Sequence, residues 1–207
     1  MEIYPFLARG VFQTFCYFVI DERTRHGFLI DCGAQADDMV AAVREQGWSI
    51  EAILLTHGHF DHTAAVPAVR AALGCPVLIH AKGERYLHDP QLNLSAGHGL
   101  NVIVDADGHF ADGEMLALAE GEVALRVMHI PGHTDDSCLF YGEDAGVAFV
   151  GDTVYGDGPG LTVFPTGDAR KIQTSIRERI LTMPGDVQLL SGHGRPIAVD
   201  RLRANMG

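Results

Sequence analysis

Four apolar runs in this 207-residue chain each lead into a short turn that carries histidine or aspartate. In chain order the turns are His57-Gly58-His59-Phe60-Asp61-His62, Pro131-Gly132-His133, Gly151-Asp152 and Ser191-Gly192-His193-Gly194. Side chains that follow strands at the same end of a sheet lie along one edge, where α/β proteins bind their ligands. Glycine lets the backbone turn sharply and approach closely there. The pattern therefore predicts that five histidines and two aspartates meet at one place.

The first turn carries the strongest chemical signal. His57 and His59 are two residues apart, so in extended backbone both project to the same side and can bind one ion. Asp61 and His62 follow at the start of a predicted helix, where we expect a second ion. Asp152 has two carboxylate oxygens with which to bridge both ions. Imidazole and carboxylate suit zinc, iron or manganese, so the sequence predicts two divalent metal ions per chain, with zinc as the first candidate.

The remainder of the chain alternates strand and helix patterns without a repeat or linker, which predicts a single domain over residues 1–207. The early βαβ rhythm indicates a sheet with parallel strands covered by helices, and the later strands resemble an antiparallel meander. Residues 89–114 are rich in loop signals. Predicted strands lie at 11–20, 27–31, 51–56, 76–80, 123–130, 137–141, 147–151 and 187–191, and predicted helices lie at 36–45, 62–73 and 168–181.

Composition limits the partners and the compartment. The chain has 15 Lys+Arg and 27 Asp+Glu, a net charge of −12, and no basic cluster, so no nucleic-acid partner is expected. No apolar run approaches the ~18 residues of a membrane helix. Glu2 lies where a signal peptide carries basic residues, and the four cysteines are widely separated, so a cytoplasmic, reduced protein is expected. The oligomeric state stays open.

The motifs THGHFDHT, PGHT, GDT and SGHG, in this order, resemble those of the metallo-β-lactamase superfamily, and most closely its glyoxalase II-type (hydroxyacylglutathione) hydrolases. The resemblance covers nearly the whole chain. The fold it implies is α/β, an αββα sandwich of two mixed β-sheets flanked by helices, with metals at the sheet edge. Because the sequence stops at Gly207, soon after the last motif, we expect a form without the C-terminal helical extension of glyoxalase II proper.

The resemblance also implies a reaction. A hydroxide that bridges the two ions would cleave a small acyl thioester, ester or lactone. A thiolate leaving group, with a pKa of ~8.5, needs little protonation to depart. Asp61 is a candidate to orient the hydroxide, and Asp31 to fix a ligand imidazole. The ligands implied are His57, His59, His133 and Asp152 for one ion, and Asp61, His62, His193 and Asp152 for the other.

Tyr155, three residues after Asp152, has two interpretations. Some lactone-hydrolysing relatives place a tyrosine at this offset, which implies a donor to the substrate oxygen. The alternative is a tyrosine that only packs.

The substrate is less defined than the metal site. Relatives that bind glutathione carry basic residues after the GD motif, whereas residues 156–167 contain none, and the nearest cations are Arg170 and Lys171. Glutathione thioesters and other small acyl thioesters, esters or lactones therefore all fit the sequence.

Other activities on the same fold compete with hydrolysis. A persulfide dioxygenase-like oxidoreductase would use one non-haem iron held by His57, His133 and Asp152. The negative charge disfavours a nuclease, and Asp152 is a ligand that β-lactam-hydrolysing enzymes lack. A non-catalytic binding protein would be expected to have lost ligands, and all seven are present.

The other six histidines are expected outside the site. We expect His80 to be buried and satisfied, and His129 to lie inside a strand. Exposed positions are expected for His26, His88, His98 and His109. His98 and His109 would reach the site only if the 89–114 loop folds over it.

Overall fold

Two six-stranded β-sheets form the centre of this computed structural model, which describes residues 1–207. The strands are β1 (Glu2–Arg9), β2 (Gln13–Ile20), β3 (His26–Ile30), β4 (Ser49–Leu54), β5 (Val77–His80), β6 (Gly108–Phe110), β7 (Met115–Ala117), β8 (Ala124–His129), β9 (Cys138–Gly142), β10 (Val147–Gly151), β11 (Val154–Tyr155), β12 (Gly158–Pro159), β13 (Gln188–Ser191) and β14 (Ile197–Ala198). The helices are α1 (Ala36–Gln46), α2 (Phe60–Thr63), α3 (Val66–Leu73), α4 (Glu84–Leu87), α5 (Ala169–Ser175) and α6 (Val199–Met206).

Both sheets contain parallel and antiparallel strand pairs. The first has the order β1-β2-β3-β4-β5-β6, with antiparallel pairs as far as β3 and parallel pairs from β3 to β6. The second has the order β14-β13-β10-β9-β8-β7, in which β8, β9 and β10 form the expected antiparallel meander and β10 pairs with β13 in parallel. The parallel βαβ region and the meander are both confirmed.

Alternation along the strands sorts side chains into layers. In β2, Tyr17 and Val19 pack between the sheets, in one cluster with Phe140 and Phe149 of the second sheet. Phe18, between them, faces the other way, into a cluster with residues of α1 and α3. The outer face of the second sheet packs on α5 and α6. Because side chains alternate in a strand, each sheet buries both faces, which gives the expected αββα sandwich.

The N-terminal strand β1 was not predicted. It contains Pro5, which has no N–H to donate, and it lies at the edge of its sheet, where proline is tolerated. The strand predicted at 11–20 begins only at Gln13, because residues 10–12 form the turn of the β1–β2 hairpin.

The helix predicted at 62–73 is divided into α2 and α3. Proline lacks an N–H group and is favoured in the first turn of a helix, so Pro67 suits the start of α3 at Val66 rather than the middle of one long helix. The helix predicted at 168–181 is α5 followed by a π-helical turn, Ile176–Ile180. The C-terminal helix α6 was missed. No helix has the length and hydropathy needed to cross a membrane.

Asn93 fixes the 89–114 loop. Its buried Nδ2 donates hydrogen bonds to the carbonyl oxygens of Tyr86, at 3.0 Å, and Val102, at 2.9 Å. The loop contains a 3₁₀ turn, Ser95–His98, and the short strand β6. Side-chain contacts of this kind hold an irregular segment in one place, and they place the 3₁₀ turn beside the predicted site.

Candidate metal centre

The four ligand-bearing turns meet at one edge of the sandwich, as predicted. The HGHFDH turn follows β4 of the first sheet, whereas His133, Asp152 and His193 follow β8, β10 and β13 of the second. Gly151 lets the two sheets approach here, because its φ is 50° and a Cβ on it would lie 2.6 Å from Thr56 Oγ1. The centre is thus built from both sheets.

Three buried imidazoles form the first group. The Nδ1 atom of His59 lies 3.2 Å from His57 Nε2 and 3.0 Å from His133 Nε2. Nitrogen ligands of a tetrahedral zinc, each at ~2.0–2.1 Å from the ion, lie about 3.3 Å from one another. The spacing of this group therefore suits one shared ion.

Asp61, His62 and His193 form the second group, and Asp152 lies between the two groups. His193 Nε2 is 3.0 Å from Asp61 Oδ2, and His62 Nε2 is 3.7 Å from the same oxygen. Asp152 Oδ1 lies 3.2 Å from His62 Nε2, while Oδ2 lies 3.3 Å from His193 Nε2 and 3.7 Å from His133 Nε2. One carboxylate therefore faces imidazole nitrogens of both groups.

Unpartnered polar atoms show that these residues fit a cation. His62 Nε2 and Asp152 Oδ1 are buried and have no hydrogen-bond partner. Buried polar atoms without a partner are costly and uncommon. A divalent cation between them would satisfy both atoms, and histidine with carboxylate is a donor set of zinc, iron and manganese.

Contacts behind the imidazoles fix their orientation. Asp31 Oδ2 accepts a hydrogen bond from His62 Nδ1 at 2.8 Å, as expected from the sequence. His133 Nδ1 donates to the carbonyl oxygen of Leu161 at 2.7 Å, and His193 Nδ1 to that of Gln13 at 2.8 Å. Because Nδ1 carries a proton in each of these rings, Nε2 is the nitrogen that faces the site and remains to bind a metal ion.

The two groups differ in how readily they hold protons. Burial lowers the pKa of His57 and His133, and lowers that of His59 to about 3. Burial also opposes protonation of His62 and His193, but neighbouring carboxylates, above all Asp152, outweigh it and raise both pKa values, that of His193 to about 10. An ion entering the second group would therefore displace protons.

Comparison with known proteins identifies the family. The sequence-family model of the Metallo-beta-lactamase superfamily matches residues 9–193, which is most of the chain. This chain belongs to the metallo-β-lactamase superfamily.

This chain is similar to three known proteins along most of its length. Hydroxyacylglutathione hydrolase GloC of Haemophilus influenzae is 31% identical over 198 residues, covering 94% of this chain and 90% of that protein. The crystal structure of BLEG-1 B3 metallo-beta-lactamase is 30% identical with a TM-score of 0.90, covering 97% of this chain and 95% of that one. The structure of TTHA1623 in a di-iron-bound form is 27% identical with a TM-score of 0.84, covering 97% and 96%.

In this superfamily member, a cavity of about 490 Å³ opens above the metal centre. Tyr155 lies in its wall, and its hydroxyl oxygen accepts a hydrogen bond from the Leu161 N–H at 3.0 Å. The hydroxyl proton of Tyr155 is therefore available to a bound molecule. The full wall is Phe12, His59, Asp61, Gln91, Leu94, Gly97, His98, His133, Asp152, Tyr155, Leu161, Phe164, Pro165 and His193.

The other histidines fall mostly outside the site. His80 is partly buried and stacks on His129, with ring centroids 4.4 Å apart. His26 begins β3 and is only partly exposed, because its ring contacts Glu51, which corrects the prediction of an exposed position. His98 is exposed, as expected, but its ring also packs against Phe12 and Phe60 and lines the cavity, so the 89–114 loop does reach the site. The remaining two, His88 and His109, are exposed and lie beside Glu84.

The sequence did not identify the apolar wall of this superfamily member's cavity. Phe12 was assigned to a strand, and Leu161, Phe164 and Pro165 lie in a loop that has no periodic pattern. The only sequence signal for the three loop residues is that large apolar residues occur in a glycine- and proline-rich stretch, whereas surface loops are usually polar. The hydroxyl of Thr14, which donates to Asp61 Oδ2 at 2.9 Å, was also missed.

Proposed function

We propose that this chain is a dinuclear metal-dependent hydrolase that cleaves a small acyl thioester or a related ester or lactone. The observation that carries the proposal is the position of the Asp152 carboxylate between two complete groups of ligand-type side chains. The similarity to a hydroxyacylglutathione hydrolase supports a thioester substrate. Zinc is the first candidate metal, with iron or manganese as alternatives.

Bound divalent ions would supply a hydroxide nucleophile at neutral pH and positive charge to polarise the substrate carbonyl. The residues of the chain position the other participants. Thr14 holds the Asp61 carboxylate at the cavity wall, where it can orient the nucleophile. The Tyr155 hydroxyl can donate to the developing negative charge on the substrate oxygen.

The backbone of Leu161 connects two parts of this arrangement. Its N–H donates to the Tyr155 hydroxyl, and its carbonyl accepts from His133 Nδ1. The side chains of Leu161 and Phe164 line the cavity and exclude water from the reacting groups. One segment therefore positions a metal ligand, a hydrogen-bond donor and part of the cavity wall.

An oxidoreductase of the persulfide dioxygenase type is the second candidate. It would use a single iron on His57, His133 and Asp152, and His133 and Asp152 are indeed close, at 3.7 Å. The similar structure of TTHA1623 contains two irons, so iron by itself does not decide between one and two ions. The full second group of ligands favours the dinuclear hydrolase.

Metal analysis combined with a substrate panel tests the proposal. We expect two ions per chain and turnover of a thioester, an ester or a lactone. Asp152→Ala should lose both ions and hydrolysis, whereas His80→Ala, a histidine outside the centre, should keep them. One iron with oxygen uptake on a persulfide would instead identify a dioxygenase. Turnover of β-lactams alone, or full activity of Asp152→Ala, would contradict the proposal.

A further inference from the structure

We infer that the acyl part of the substrate is a neutral, apolar chain that lies above the metal centre and continues past Phe12 into a second, alanine-lined groove. The inference rests on the proposed hydrolase function and specifies the substrate class for it.

The cavity above the metal centre has an apolar wall without a cation. Phe12, Leu94, Leu161, Phe164 and Pro165 contribute to it, and no lysine or arginine does. Its only carboxylates, Asp61 and Asp152, belong to the metal centre. Away from the metal centre, an anionic group on the acyl chain would lose water against these apolar side chains without gaining a lysine or arginine partner, which is unfavourable. An apolar chain meets no such cost.

A groove of about 380 Å³ adjoins this cavity at Phe12. The two share Phe12 and Asp61 in their walls. Small side chains line the groove and leave room for an extended chain, and Gly33 must stay small because a Cβ on it would collide with the Asp61 carbonyl oxygen. The alanines concerned are Ala8, Ala34, Ala36, Ala64, Ala65 and Ala68.

Exposed apolar side chains concentrate around these two openings. Of the eight large hydrophobic residues that are exposed, four line the cavity or the groove: Val11, Phe12, Leu100 and Leu161. Contiguous apolar surface on a folded protein usually marks a binding site. Because the groove adjoins the cavity above the metal centre at Phe12, the occupant that we infer is the substrate itself.

Positive charge near the centre lies elsewhere. Arg195 and Arg201 line a separate cavity of about 400 Å³ with Gly156, Asp157 and Pro196, and this cavity shares no wall residue with the one above the metal centre. An anionic part of the substrate would therefore have to lie outside the acyl site.

A chain-length series tests the inference. Acetyl, butyryl, hexanoyl and octanoyl thioesters of one neutral thiol are hydrolysed by the metal-loaded protein, together with a 2-hydroxyacyl thioester of the same thiol. Burying one methylene raises affinity about fourfold, so we expect kcat/KM to rise about tenfold or more for each added pair of methylenes until the groove is filled. The 2-hydroxyacyl compound should be hydrolysed more slowly than the apolar substrates.

A variant that fills the groove supplies the specificity control. Ala68 is exposed on α3 and lines the groove, so Ala68→Trp should lower kcat/KM for the octanoyl substrate about tenfold or more and change the acetyl value less than about twofold. Ala41→Trp, at an exposed alanine of α1 outside both openings, is the matched control and should leave the series unchanged. Calorimetry of octanoate binding gives a readout that does not depend on turnover.

The outcomes separate this inference from the proposed function. Hydrolysis that is flat or falls with chain length would overturn the apolar site while leaving the hydrolase proposal intact. If no acyl substrate is hydrolysed but octanoate binds and Ala68→Trp removes that binding, the site stands and the proposed reaction falls. Light scattering of Ala68→Trp gives the third outcome. If this variant has a changed oligomeric state and an unaltered chain-length dependence, the groove is covered by a second copy and the inference is wrong.

Discussion

Each imidazole of the centre that presents Nε2 to the site is held through its other nitrogen. His57 Nδ1 lies 3.1 Å from Thr56 Oγ1, and His62 Nδ1 donates to Asp31. Asp31 also accepts hydrogen bonds from the N–H and the hydroxyl of Thr56, so one carboxylate supports both rings. Support of this kind raises ligand basicity and fixes ring orientation before the ion arrives.

Asp31→Asn should therefore weaken metal binding about 10- to 100-fold. Asparagine tolerates the left-handed backbone of this residue, whose φ is 59°, so the variant should fold. Competition with a chromophoric chelator measures the affinity. Asp107→Asn, which removes a carboxylate that accepts a backbone hydrogen bond far from the centre, is the control. Equal affinities in both variants would show that Asp31 does not support the ligands.

Tyr155→Phe separates the two interpretations of this residue. If the hydroxyl donates to the substrate oxygen in the transition state, kcat should fall about 100-fold while the metal content stays the same. Steady-state kinetics with metal analysis measures both. An unchanged kcat would leave Tyr155 as a packing residue that accepts the Leu161 N–H.

At the scale of elements, glycine turns bring the ligand-bearing loops against their neighbours. Gly132, directly before His133, has a φ of 146°, and a Cβ on it would collide with the backbone of Ile172 in α5. Gly74, which ends α3 with a φ of 70°, has no atom near its missing Cβ. Both glycines have a positive φ, but only at Gly132 would an added side chain also collide with a neighbouring element.

Gly132→Ala should thus destabilise the protein by about 3 kcal/mol, because it adds a backbone collision to the conformational cost. Gly74→Ala carries the conformational cost alone and should lose about 1 kcal/mol. Urea unfolding of the two variants measures the difference. Similar free energies of unfolding would mean that α5 moves freely to make room.

At the scale of the molecule, the candidate metal centre joins the two sheets. The first supplies His57, His59, Asp61 and His62 after β4, and the second supplies the other three ligand-type residues. A ligand that binds only the folded state stabilises it in proportion to the logarithm of its concentration over its dissociation constant. Bound ions should accordingly stabilise the whole sandwich rather than one loop.

Removing the metal with a chelator should lower the unfolding midpoint by about 10 °C or more. Differential scanning calorimetry measures the shift, and adding the metal back should reverse it. His80→Ala should show the same shift as the unmodified chain, whereas Asp152→Ala should show none. A chelated protein that unfolds at an unchanged temperature would contradict a bridging role for the ions.

The sequence by itself predicted which ligand-type residues meet, and it determined most of the sandwich. Alternation of apolar and polar residues indicates which side chains of a strand are buried, and glycine-containing turns after apolar runs indicate where strands end. This local spacing predicted that the seven ligand-type residues would meet. Both signals are local, so they can be recognised without knowledge of the rest of the chain.

Only the tertiary structure decided the edge strand β1, the division between α2 and α3, and the composition of the cavity wall. Phe12, His98 and Phe164 come from three loops far apart in the chain, and loops have no periodicity from which contacts follow. Their meeting depends on how the two sheets and the 89–114 loop pack, because long-range contacts form only when the whole core is assembled. The meeting of the ligand-type residues was therefore readable in the sequence, whereas the shape of the cavity above them was not.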